Sequence, residues 1–170
     1  MVRASLIALL LAAALSSPAA AAPIASAVPA TAKALLTHAV SIVKTSDLDF
    51  GLMTSTTVGT VVIDPNANSI VATGGVTLVG SQWSAAGFAG AAGGAAVVVL
   101  IKLPNQAVTL TRQGGSETMT VSNLTLQGQN RRALAAMESF TFRVGGTLNV
   151  GASQAEGVYN GIFNVDIQYP

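Results

Sequence analysis

The chain has no cysteine and a single histidine among its 170 residues. Without cysteine, disulfide staples, thiol chemistry and zinc–thiolate sites are excluded, so stability must come from burial or from a partner. His38 is the one histidine and stands beside Ala39 and Val40. A histidine-based triad or metal site would rest on it alone, and a structural or surface role is expected. Charge is equally scarce, with 9% charged residues against 51% hydrophobic ones. Such a surface, rich in small neutral residues, suits a protein that lives in an assembly or on a cell envelope.

The charges that exist nearly cancel. Eight basic residues face seven acidic ones, and loss of Arg3 with a cleaved leader would bring the balance to zero. Nothing in that balance attracts a polyanion. Trp83 is the one tryptophan and aromatics make up 5% of the chain, so no stacking platform for nucleic acid is expected, and Arg131–Arg132 reads as a solvated corner.

What is present begins with an address. "MVRASLIALLLAAALSSPAAAAP" places Arg3 before an apolar run from Leu6 to Leu15 and then small residues, the layout of a secretory signal peptide. The run is shorter than the roughly 20 residues that span a bilayer. A signal over residues 1–21, an arm over 22–36 and a single domain over 37–170 are expected. The arm, "APIASAVPATAKALL", carries two proline breakers and reads either as a disordered leader or as an extended arm. In the second reading Ile24, Val28 and Ala32 would lie in an apolar groove.

Beyond the arm the pattern is that of strands. "HAVSIVK", "GTVVID", "SIVAT", "AAGFAG", "AVVVLIKL", "AVTLT", "ETMTVSNLTL", "SFTFRV", "TLNV" and "VYNGIFNVDIQY" are rich in β-branched residues, and turn chemistry such as "DPNAN" and "LPNQ" divides most of them. Short strands at this spacing predict an antiparallel β-sandwich. A bulge is expected near Asn123, where the alternation of Met119 and Val121 shifts to Leu124 and Leu126. Gly145–Gly146 predicts a hairpin, and "NRRALAAM", Asn130 to Met137, is the one stretch with helix formers in a row. "GFAGAAGGAAVVVLIKL" reads as a strand, a glycine-rich loop and a fully buried strand from Val97 to Ile101, in preference to a membrane span.

Material for catalysis is thin. Asp47 and Asp49 in "SDLDFG" hint at a cation pair but lack the oxygens of a calcium loop, and a solvated turn is expected. "GFAGAAGG" lacks the Lys-Ser/Thr of a phosphate loop, so no nucleotide site is read. No cofactor, metal, small-molecule substrate or enzymatic activity is expected.

The last residues, "GVYNGIFNVDIQYP", alternate Tyr159, Phe163, Val165, Ile167 and Tyr169 with polar residues after Gly157. One buried face and one wet face follow. This ending resembles the C-terminal motif of chaperone-usher pilus subunits. Together with "DLDFG", "GTVVIDP", "MTVSNL" and "FRVGGTLNVGASQAEGVYNGIFNVDIQY", the chain resembles a family of small secreted Gram-negative bacterial proteins containing a domain of unknown function, itself similar to spore coat protein U and fimbrial subunits. The resemblance covers Lys44 to Tyr169. It implies an immunoglobulin-like sandwich lacking its last strand, which other copies or related subunits complete by strand donation after passage through a periplasmic chaperone and an outer-membrane usher. It also implies that Gly157, Tyr159, Phe163, Val165, Ile167 and Tyr169 form the groove strand, with Ile24, Val28 and Ala32 in the donor arm. The pilus cysteine pair is absent here. The alternative is a self-complete monomeric sandwich that binds an envelope component or a glycan.

Overall fold

The computed structural model of the protein describes residues 40–169. The predicted signal peptide, His38 and the arm with Ile24, Val28 and Ala32 lie outside the described residues. Among those described there are eleven strands and no helix: β1 Ser41–Ser46, β2 Leu52–Asp64, β3 Ser69–Val79, β4 Ala86–Ala91, β5 Val97–Lys102, β6 Val108–Arg112, β7 Thr118–Leu126, β8 Arg131–Leu134, β9 Ser139–Val150, β10 Tyr159–Asn160 and β11 Asp166–Gln168. Every pairing is antiparallel.

Two sheets form an antiparallel β-sandwich, as the strand pattern predicts. The larger runs β1-β4-β9-β7-β6-β10, with the β2–β3 hairpin attached to β9 through β2; the smaller is β11-β5-β8. The hub is β9. Its first half pairs with β4 from Ala86↔Val144 to Ala91↔Ser139, and its second half pairs with β2 from Gly59↔Val150 to Ile63↔Gly146. Along its other edge it pairs with β7.

The Gly145–Gly146 pair is therefore no hairpin, because β9 runs straight through it. A Cβ on Gly145 would stand 2.1 Å from the Ile63 carbonyl oxygen. The missing side chain lets β2 approach β9 at the point where β4 gives way to it. The helix formers of Asn130 to Met137 build no helix, since Arg131–Leu134 forms β8 against β5. Two turns of helix are too short to sustain themselves, whereas the edge of β5 offers backbone partners and a buried site for Leu134.

The bulge expected near Asn123 is present. The β7–β9 register shifts between Ser122 and Thr125, and Asn123 has φ 48°, a conformation that asparagine tolerates better than most residues. The glycine-rich stretch is β4, a loop and β5, although β5 is buried only at alternate positions, Val99 and Ile101.

The core has two parts. In one, Val99 and Ile101 of β5 and Leu134 of β8 meet Ala86, Phe140, Phe142 and Val144 of the larger sheet. Phe88 and Phe142, cross-strand partners, stack with ring centroids 5.0 Å apart. In the other, Val61, Ile63, Val76, Val121, Leu148 and Val150 are closed over by Phe50 and Ala85, with Leu48 and Trp83 half-buried against them. No charged or polar residue is buried among those described.

Candidate strand-acceptor site

The chemistry-bearing side chains are dispersed. Asp47 pairs with Lys44, Asp49 accepts the Gly51 N–H at 2.8 Å, and Glu138 accepts the Ala135 N–H at 2.6 Å. Each carboxylate serves a local turn, and among the described residues no three His, Cys, Asp or Glu could hold one ion. Arg132 is no solvated corner. It faces inward on β8, its guanidinium 5.5 Å from the Phe142 ring centroid and donating to the carbonyls of Gln127, Gln129 and Thr141.

The C-terminal segment is where exposed backbone and apolar side chains coincide. The sequence predicts one strand over it, but it divides between the sheets. Tyr159 pairs with Arg112 in the larger sheet, while Asp166, Ile167 and Gln168 pair with Lys102, Ile101 and Leu100 of β5 in the smaller. Tyr159 is anchored locally, its hydroxyl donating to the Ala155 carbonyl and accepting from Gln154, both at 2.7 Å. That anchor holds it on the larger sheet, so it does not share a face with Ile167.

Gly157 belongs to the same local structure. Its φ is +149°, and a Cβ there would stand 2.9 Å from Cγ and Cδ of Arg112. What approaches Gly157 is thus the Arg112 stem and not a neighbouring backbone. Arg112 is held in turn by a forked pair of bonds to Glu117, at 2.7 and 3.2 Å. The bond and charge of Arg112 lower the Glu117 pKa, and those of Glu117 raise the Arg112 pKa.

Phe163, Val165 and Ile167 are half-buried and pack against the core between the sheets, as do Ile42 of β1 and Val40 just before that strand. Among the described residues β11 pairs only with β5, and β1 only with β4. Two strand edges, one from each sheet, therefore flank one apolar core. At one end they are tied together, because the Val40 N–H donates to the Tyr169 hydroxyl at 2.7 Å. Tyr169 itself is 44% exposed. The β1 side of this slot is carried by Val40 and Ile42, which sequence reasoning assigned to a strand without assigning them to the site; their i, i+2 alternation was the available signal. Beside the slot, Ile162 is 89% exposed and borders a shallow cleft of about 430 Å³ with Phe163, Pro104 and Val108.

No helix among the described residues is long and apolar enough to cross a membrane. The model of a family described as a domain of unknown function, DUF4402, matches residues 40–169, and the chain belongs to that family. Neither a curated protein nor a solved structure matches the chain.

Proposed function

We propose that this member of the DUF4402 family is a structural subunit of a fimbria-like or coat-like surface assembly, polymerising by donor-strand addition and catalysing no reaction. The observation that carries the reading is the slot between β11 and β1. Strand edges that pair on one side only leave N–H and C=O groups able to take a further strand, and the half-buried Phe163, Val165, Ile167 and Ile42 between them supply the apolar floor that alternate side chains of a donor would fill. The low charge of the chain agrees with life in an assembly.

The donor is the arm over residues 22–36 of the next copy or of a related subunit. Its 15 residues reach about 50 Å when extended, more than enough to run along β11, and Ile24, Val28 and Ala32 are its candidate groove-filling side chains. Export by the leader, passage with a periplasmic chaperone and an outer-membrane usher, and display at the cell surface complete the proposal. These partners rest on the resemblance to pilus subunits.

The Val40–Tyr169 hydrogen bond favours a second reading, in which the two edges are held by their own chain and the protein is a self-complete monomer that binds an envelope component or a glycan. Size-exclusion chromatography and thermal melting with and without the arm separate the two. Donor-strand addition predicts polymers that disappear when residues 22–36 are deleted. An unchanged monomer with or without the arm sinks it.

A further inference from the structure

A further strand edge is β3, which branches with β2 from the same side of β9 as β4 and β1, while β7, β6 and β10 extend from the other. Among the described residues it pairs only with β2. It is 11 residues long, reads "SIVATGGVTLV", and contains no charge and no proline. Natural edges of this length are usually blunted by a lysine, a proline, an inward charge or a covering loop. The outer face of the hairpin is also apolar. Leu52, Val58, Val62, Val71 and Val79 are half of the ten large apolar side chains exposed among the described residues, with Val71 at 55%. Leu52 sits opposite Val79, and Val62 opposite Val71, so these side chains form cross-strand pairs on one surface. Concentration of exposed apolar area on one element marks an interaction surface.

The pattern along β3 indicates the partner. Its inward residues are Ile70, Ala72, Val76 and Leu78, which pack on or belong to the core beneath the hairpin. They are placed symmetrically about Gly74, where the strand bends with φ 69°. An antiparallel copy of the same strand, related by a two-fold axis at Gly74, sets Ile70 opposite Leu78 and Ala72 opposite Val76. It also sets Val71 opposite Thr77 and Ser69 opposite Val79, so every inward residue meets an inward one. Because the strand carries no charge, two copies approach without repulsion. An isologous contact of this kind closes on itself.

We propose that β3 is a lateral self-association edge, pairing antiparallel with β3 of a second copy about Gly74 and merging the two larger sheets. The contact uses neither β1 nor β11, so it stands apart from strand donation and joins copies side by side.

The test is sedimentation equilibrium across a range of concentrations, on the chain without residues 22–36 and on the chain with them, so that failure of strand donation and failure of β3 pairing are read separately. Without residues 22–36 the wild type gives a concentration-dependent dimer; with them, the same contact adds to the polymers that strand donation forms. V71K/T77K places two like-charge pairs directly across the axis and weakens the dimer by roughly tenfold. V71K/T77E introduces the same number of charges but sets opposite signs against each other, and dimerises more tightly than V71K/T77K. Both positions are exposed, and an unchanged circular dichroism spectrum and melting curve verify that each variant folds. A wild type that stays monomeric at every concentration, a V71K/T77K variant as dimeric as wild type, or a V71K/T77E variant no more dimeric than V71K/T77K overturns the proposal.

Discussion

Arg132 brings a positive charge onto the inward face of β8 and is held there by backbone carbonyls, with no salt bridge to an acid among the described residues. Burial lowers its pKa, yet a guanidinium stays charged at any physiological pH. Replacing it removes a cation–π contact and leaves carbonyls without donors, so R132Q is expected to lower stability by about 2 kcal/mol in urea unfolding. R131Q, on the exposed side of the same strand, stays within about 0.5 kcal/mol of wild type. The sequence could not separate these neighbours, because only the pairing of β8 with β5 decides which of two adjacent arginines points inward. Gly157 is a parallel case. Its place before the final segment was legible, but its reason, room for the Arg112 stem, was not. G157A is expected to destabilise by about 1–2 kcal/mol, measured by the same unfolding curve.

Glu117 gives the residue scale a pH dependence. Its pKa is lowered in the folded state by the Arg112 hydrogen bond, so its contribution to stability is complete above the ordinary carboxylate pKa. That contribution is lost as pH falls through the depressed folded value. Thermal melts from neutral to acidic pH therefore show a larger loss for wild type than for E117Q over that window. Curves that stay parallel would remove the pair from the account. Arg112 is raised in the folded state by the same partner, and because this is the same interaction it fades together with the Glu117 contribution as the carboxylate takes up its proton.

At the scale of elements, the strands with dense β-branched runs were legible: parts of β2, β3, β5 and β7 all lie inside predicted segments. What failed were the places where one strand serves two neighbours. "SFTFRV" and "TLNV" look like two strands with a glycine turn because local sequence does not record that β9 changes partners from β4 to β2 at Gly145. The same element yields a sharp expectation. G145A would drive a Cβ into the Ile63 carbonyl, disrupting the β2–β9 ladder, and should cost about 3 kcal/mol in chemical denaturation. A loss below about 0.5 kcal/mol would mean that β9 and β2 pair with more slack than described. The final segment failed in a related way. Alternation identified the inward set Phe163, Val165 and Ile167, but it could not reveal that Tyr159 stays with the larger sheet, because period-two alternation carries no information about which sheet a strand joins.

For the molecule as a whole, the central question is what lies along β11. An antiparallel sandwich buries its sheets against each other, yet one margin of this one brings two strand edges and a half-buried apolar row together without a further described strand between them. A strand lent by a neighbour would satisfy the backbone and cover Phe163 and Ile167 in one step. The most direct measurement is the thermal melting of the chain without residues 22–36, titrated with a peptide of that segment. The account predicts a low melting temperature that rises by roughly 10 °C once the peptide reaches about a hundredfold excess over its dissociation constant. A high-melting monomer whose transition is the same with the peptide, without it and with the arm intact would contradict it.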